Sequence, residues 1–381
     1  MSYETPFSGL KVVDLSQGIA GPYCTMLLAQ YGADVIKIEP PEGDWSRDLG
    51  PSWGGHTPFS IAGNLGKRSV TLDLKDEEDK ERLWHLLDTA DVFFEGFRPG
   101  VIERLGFSYE AVFKRNPRVL YVSVSGFGQH GPLAKKPAMD PVIQAFTGFM
   151  VANADGQGNP QRAAPIIVDM STALYAFQGV SAALYARRDE AAGRKLEVSL
   201  LEAAANLQCV RMMQSYLQGD LPVSATAPAG NFACSHGHLF VIVLRQTDFE
   251  KACDVLGLPD MVNDDRYASV DARRRHMDEV NARFAEKFAT QTAEYWSEHL
   301  TQAGIQNEQI LDYGQFLEHE HVTSTGLISW LTQSGMDMTV PMPNVPGAPA
   351  LIPGSASARA PRAGEHTQEI LSRVGMKHAE T

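Results

Sequence analysis

Short apolar runs and helical segments alternate through the first 125 residues, and this rhythm restricts the chain more than any other feature of its sequence. Val12–Leu15 reads as a strand, and a loop of small residues follows from Ser16 to Pro22. A helical segment then runs from Tyr23 to Tyr31, with Gly32 where a C-terminal cap glycine belongs. Further strands are expected at Val35–Glu39, Ser69–Leu74, Asp91–Glu95 and Arg118–Val124. The charged segment Asp76–Ala90 places Leu83, Leu86 and Leu87 on one helical face. Repeated strand–helix–strand units predict an open, mostly parallel sheet with helices on both faces. Ligands of such sheets bind beyond the carboxyl ends of the strands. The loops after Leu15, Glu39, Leu74, Glu95 and Val124 are therefore the places to search for a site.

Beyond that region the pattern changes. Asp169–Arg188 and Leu201–Leu217 read as long helices, with a possible strand at Leu196–Leu200 between them. Leu221–Gly230 is rich in Pro, Ala and Gly and reads as a linker. A strand at His238–Leu244 and helices at Arg273–Phe288 and Ala293–Ala303 then suggest a smaller α+β unit, and Pro341–Arg362 an extended tail. With 381 residues and roughly 150 per domain, two or three domains are expected. The expected division is a large α/β domain over 1–220, a small α+β domain over 228–330, and a segment 331–381 that returns to the large domain.

The net charge of −13 argues against nucleic acid or an anionic membrane as partner. No apolar stretch approaches the ~18 residues a membrane span needs. The four cysteines are scattered, without a CxxC pair, so neither a zinc site nor a disulfide framework is expected. Cys24, near a helix start, is read as a small buried apolar residue. His236/His238 and His319–Glu320–His321 lack a third ligand and read as loop residues, so no metal is expected. The N-terminus has no basic, apolar leader pattern and the C-terminus no retention address, so a cytoplasmic location is expected.

Three features bear on chemistry. Gly126–Gly131 matches G-x-G-x-x-G after a strand, but Pro132 and Pro137 deny it the following helix, so a glycine loop for another ligand is preferred to a dinucleotide fingerprint. Asp169 follows Ile166–Val168 and opens a helix. It reads either as a cap or as an oriented, poorly solvated carboxylate able to attack an acyl carbon. Lys67, Arg68, Lys75, Arg98, Arg104, Lys114 and Arg115 crowd into 67–115, with Lys135–Lys136 beyond, which suits a phosphate-bearing ligand. Among these, Lys75 and Arg104 are taken as ligand-facing, and Lys114 and Arg115 as solvated helix residues.

Five stretches occur in a telling order: Gly21–Pro22 with Gly32–Pro41; Asn64–Lys75; Ala90–Gly106; Val124–Pro132 with Asp140 and Gln144; and Asp169 opening its helix. Together they resemble the family III CoA-transferases, the group of formyl-CoA transferase and carnitine CoA-transferase, to which α-methylacyl-CoA racemase is related. The resemblance implies transfer of coenzyme A from an acyl-CoA to a free carboxylic acid through an aspartyl anhydride and an aspartyl-CoA thioester. Asp169 would be the nucleophile, with Gln17 and Asp140 beside it, and coenzyme A a substrate instead of a tightly bound cofactor. Leu72, Lys75, Gly96, Phe97, Arg98 and Arg104 would form the CoA pocket. The fold implied is a large Rossmann-like α/β domain and a small domain in an interlocked homodimer. Ala229–Gly230–Asn231 is the nearest match to the glycine run that closes the site in formyl-CoA transferases. The alternatives are a CoA-thioester racemase or isomerase and a non-catalytic CoA-binding protein. Met139 stands where the racemases carry a histidine base, which favours the transferase.

Overall fold

A computed structural model describes residues 5–219 and 224–374. Among these, the chain forms two compact units, one built from the chain up to Met213 and from Gly326 onward, the other from Gln214–Thr325.

The first unit is organised by a sheet of six strands, all parallel. They are β1 (Lys11–Asp14), β2 (Asp34–Glu39), β3 (Arg68–Thr71), β4 (Val92–Glu95), β5 (Leu120–Ser125) and β6 (Arg194–Ser199), in the order β3-β2-β1-β4-β5-β6. Alternate residues feed two cores. Val12, Val35, Val92, Phe94 and Val122 pack against the helices Ala20–Gln30 and Ile167–Ala186. Val13, Ile36, Val70, Phe93 and Tyr121 pack on the other face, with Leu83, Leu86 and Leu87 of the helix Glu77–Leu87. That helix starts at Asp76, whose carboxylate accepts the Glu78 and Asp79 amides.

The expected elements are present with shifted ends. The first helix begins at Ala20, ahead of Pro22, because a helix tolerates proline in its first turn. It ends as its glycine predicts: Gly32 lies at φ +95°, with its N–H on Ala29 O and that of Ala33 on Leu28 O. The strand at Leu196–Leu200 is real but starts at Arg194, and as β6 it completes the large sheet. The long helix expected over 201–217 is two, Leu200–Leu207 and Cys209–Gln218, interrupted at Gln208. The Gln208 side chain bonds Ala204 O and Thr147 Oγ1 at the break. Part of the expected extended tail is a strand, Thr339–Pro343, paired antiparallel with Ile328–Thr332. Residues 364–367 seal the edge strand β3: His366 N–H donates to Ser69 O, and the Thr71 N–H to Thr367 Oγ1.

The second unit carries its own core. The strands Ala229–Ala233, His238–Ile242 and Gln306–Gln309 form an antiparallel sheet. Phe249, Phe284, Phe288 and Trp296 from the surrounding helices fill the space against Leu239 and Val241. The helix expected over 273–288 is split at His276 into Val270–Arg275 and Met277–Phe288. Part of the expected linker, 221–223, lies outside the described residues. Ala229–Gly230–Asn231 is not a loop but the start of a strand, held by pairing of Gly230 with Val241 and Asn231 with Phe240. No described helix is long and apolar enough to cross a membrane.

Charged side chains are buried at the carboxyl end of β1. Asp14 accepts from Lys67 Nζ at 2.9 Å and from the hydroxyls of Ser16 and Thr25. Lys67 also donates to Pro22 O and Asn64 Oδ1. Burial works to raise the pKa of Asp14, but Lys67, Lys37 and these hydroxyls outweigh it and hold it at about 2. Lys67 is thus spoken for inside the protein, and Arg68 is bound to Asp34 at the sheet edge, so these two leave the basic cluster inferred from sequence. Removing one member of a fully buried pair strands the other, which costs ~3–5 kcal/mol. Lys67→Met should lower the unfolding free energy by about that amount in a denaturant titration, and a loss below ~1 kcal/mol would show that Asp14 does not depend on it.

Candidate active site

The strand order reverses direction between β1 and β4, and an open sheet has its natural crevice there. Two adjoining cleft sections occupy it. The inner one, about 410 Å³, is lined by Ser16, Gln17, Trp45, Arg98, Met139 and Asp169, among others. The outer one, about 250 Å³, is lined by Glu39 at the end of β2, Pro40–Glu42 after it, and Leu72–Lys75 after β3. Leu15, Gln17 and Phe97, from the loops after β1 and β4, line both sections, so the two run together at the switch point.

The structure brings together most of the residues singled out by sequence. Asp169, Gln17, Gly96 and Arg98 line the inner section; Leu72 and Lys75 line the outer one; Phe97 belongs to both. Arg98, grouped with the nucleotide pocket by resemblance, lies instead in the section that holds Asp169. Arg104 lines neither section; it is exposed on the short helix Val101–Leu105, beside the lining residue Leu105. Lys75, Arg98 and Arg104 are all exposed, and no ion pair engages them among the described residues. Arg115, by contrast, binds Asp88 and lies over the Trp84 ring, as befits a helix-surface residue. Cys24 is fully buried, and burial and the Asp14 charge push its thiol pKa up, as a packed residue requires.

Asp169 is in the first turn of the helix Ile167–Ala186 but is not its cap. The capping is done from outside. Asp140 Oδ2 accepts the N–H groups of Val168 at 2.7 Å and of Asp169 at 3.1 Å, while Gln144 Nε2 binds Asp140 Oδ1 at 2.6 Å. Asp140 is buried and aims at backbone, so it fixes the peptide that carries Asp169. With this outside cap in place, the Asp169 carboxyl accepts no hydrogen bond from the described residues and faces the cleft. Burial, aided by the nearby Asp140 charge, pushes its pKa up to about 7. A carboxylate so poorly solvated and unengaged is a stronger nucleophile than one in water.

Several contributors were missed by sequence reasoning. Trp45 and Ser125 form part of the inner wall. Glu95, at the end of β4 and next to the lining residue Gly96, is buried; it accepts the Phe97 N–H at 2.9 Å and the Ser123 hydroxyl. Burial raises its pKa to about 7. Lys37 and Glu39 offered a signal: charged residues inside an otherwise apolar strand of a parallel sheet, where both faces are buried, must have built-in partners. Gly126 lines the inner section, and a Cβ there would lie 2.3 Å from that of Ala138. The glycine-rich stretch is followed by turns and not by a helix, and no dinucleotide cradle forms.

The sequence matches CoA-transferase family III over residues 7–367. The chain belongs to that family. This CoA-transferase is 35% identical to the acetyl-CoA:oxalate CoA-transferase of Acetobacter aceti, with 92% of this chain and 90% of the relative covered. It is 29% identical to the succinyl-CoA:mesaconate CoA-transferase of Haloarcula hispanica, with 96% of each chain covered. Among solved structures it resembles Rv3272 of Mycobacterium tuberculosis, with a TM-score of 0.85 at 29% identity and coverage of 96% and 99%. A CAIB/BAIF family protein of Brucella suis gives 0.85 at 27% identity, covering 97% and 100%.

The two causes of the Asp169 shift are separable. Asp140→Asn keeps an acceptor for the helix amides and deletes the neighbouring charge. Its expected effect is a lower titration midpoint for Asp169, read by carboxyl-carbon NMR; an unmoved midpoint would leave burial as the sole cause.

Proposed function

We propose that this CoA-transferase moves coenzyme A from an acyl-CoA donor to a free carboxylic acid, with Asp169 as covalent nucleophile. The observation that carries this reading is the unengaged Asp169 carboxyl facing the inner cleft, with its backbone clamped by Asp140. Asp169 attacks the thioester carbonyl, the carbon–sulfur bond breaks, and CoA leaves as thiolate with a mixed anhydride on the aspartate. The thiolate then attacks the aspartyl carbonyl, expelling the donor's carboxylate and leaving an aspartyl thioester. The acceptor carboxylate attacks that thioester, displacing thiolate again. The thiolate finally attacks the acceptor's carbonyl and restores Asp169. No proton is gained or lost, so the site needs neither a general acid nor a general base for the exchange. What it does need is a donor for each oxyanion and exclusion of water. Gln17, half-buried at the junction of the two cleft sections, is assigned the first task through its side-chain amide. Met139 in the inner wall supports transfer over racemisation, since a thioether cannot take the alpha proton.

The outer section is assigned to the nucleotide end of coenzyme A. Its mouth carries Lys75, and Arg104 stands next to the lining residue Leu105; both are exposed cations in a chain of net charge −13. Phosphates suit them. The inner section then receives the thioester and, after it, the acceptor acid.

Mixing the protein with an acyl-CoA and quenching with hydroxylamine should label Asp169, mapped by mass spectrometry. Asp169→Asn should lower kcat by about 10⁴-fold or more. Because the carboxylate is the reactive form and its pKa is raised to about 7, kcat/KM for the donor should climb with pH through that value and level off above it. An unlabelled Asp169 during turnover would sink the reading. Lys75→Ala and Arg104→Ala should each raise KM for the CoA thioester by about tenfold while leaving a phosphate-free N-acetylcysteamine thioester unaffected; equal effects on both donors would move the phosphates elsewhere.

A further inference from the structure

The geometry points to Asp44 and Lys37 as positioning residues for the acyl end of the cleft, which hold the peptide groups on both sides of Gln17 and the turn that carries Trp45. This deepens the function proposed above and rests on the role given there to Gln17. Gln17 is the half-buried residue between buried Ser16 and buried Gly18. The Gly18 N–H donates to Asp44 Oδ1 at 3.1 Å. The Ser16 carbonyl accepts from Lys37 Nζ. Lys37 and Asp44 are themselves paired at 2.9 Å, and neither side chain is exposed at all. Both flanks of Gln17 are therefore fastened to a single buried ion pair, with Ser16 N–H tied in addition to Asp14.

The same carboxylate also holds a second lining residue, Trp45. Asp44 Oδ1 also accepts the Ser46 N–H at 2.9 Å and so starts the short helical turn Trp45–Asp48. Trp45 lies across Gly18: a Cβ on Gly18 would come within 2.4 Å of the indole ring, and the residue sits at φ +81°. Only glycine meets both conditions. One oxygen thus sets the spacing between the Gln17 loop and the indole. Burial works to lower the Lys37 pKa, but Asp44, Asp14 and Glu39 together hold it above its ordinary value, so the clamp stays charged. A buried ion pair is weak evidence of added stability, whereas fixing a catalytic amide to within a fraction of an ångström has large kinetic consequences.

Two substitutions at Asp44 separate the roles. Asp44→Asn and Asp44→Ala both remove the counter-charge of Lys37, so both should lower the melting temperature. Only Asp44→Ala removes the acceptor for Gly18 and Ser46. Asp44→Ala should therefore reduce kcat by about tenfold or more with KM for the CoA thioester within about threefold, while Asp44→Asn retains kcat within about threefold. Added to Gln17→Ala, Asp44→Ala should cost less than about threefold more, since the residue it positions is gone. Equal kcat in the two folded Asp44 variants, or an undiminished effect on the Gln17→Ala background, would overturn the proposal. Should Asp44→Ala not fold, amide exchange in the unmodified protein decides the matter: the Gly18 N–H should exchange about 10²-fold or more slowly than an unprotected amide, and unprotected exchange would refute the clamp. These results stand apart from the Asp169 labelling, so a failure here leaves the covalent reading intact, and a failure there is seen directly.

Discussion

Charge buried at the carboxyl end of a parallel sheet is the constraint on which the rest of this structure turns. The ends of β1 and β2 carry Asp14, Lys37 and Glu39, all buried, where isolated charges would be prohibitively costly. Each is answered by a group from another part of the chain: Lys67 for Asp14, Asp44 for Lys37, Arg47 for Glu39. These pairings knit the loops after β1 and β2 to the segment before β3. Where an ordinary α/β sheet leaves mobile connections at its crevice, this chain has loops pinned by ions and hydrogen bonds.

That rigidity suits the chemistry assigned to the site. An exchange through anhydrides and thioesters conserves the energy of the thioester only if water is kept away and each partner arrives in line. Asp169 illustrates the division of labour. Its own carboxyl is left unengaged, and a second carboxylate, Asp140, holds the helix start it belongs to. Two acids close in space thus have different surroundings, one committed to backbone amides and one unengaged at the cleft. Their mutual repulsion adds to the effect of burial in holding the Asp169 pKa near neutrality.

Much of this was legible in the residues. Val12–Leu15, Val35–Glu39 and the later runs, alternating with helical segments, pointed to the parallel sheet because strands buried on both faces read as mostly apolar runs. Gly32 marked a helix end because only a residue free to adopt positive φ closes that motif. Asp169 stood out because a carboxylate after three apolar residues at a helix start must be either a cap or a reagent. The basic residues were less transparent. Lys67 and Lys75 look alike in sequence, yet one is sealed against Asp14 and the other is exposed at the outer cleft. Burial depends on what packs above a residue, and a local pattern carries no record of that.

Sequence by itself determined the periodicities, the punctuation by glycine and proline, and the order of motifs, since these are consequences of the chain's local stereochemistry. Tertiary structure alone decided that β6 joins the large sheet and that residues 364–367 seal its far edge. It also decided that Asp140, and not Asp169, caps the long helix, and that one carboxylate at position 44 reaches both the Gln17 loop and the Trp45 turn. Apart from the local bond from Ser46 to Asp44, these features depend on hydrogen bonds between residues from 26 to nearly 300 positions apart, and which partners meet at such range is settled by how the whole sheet twists and packs.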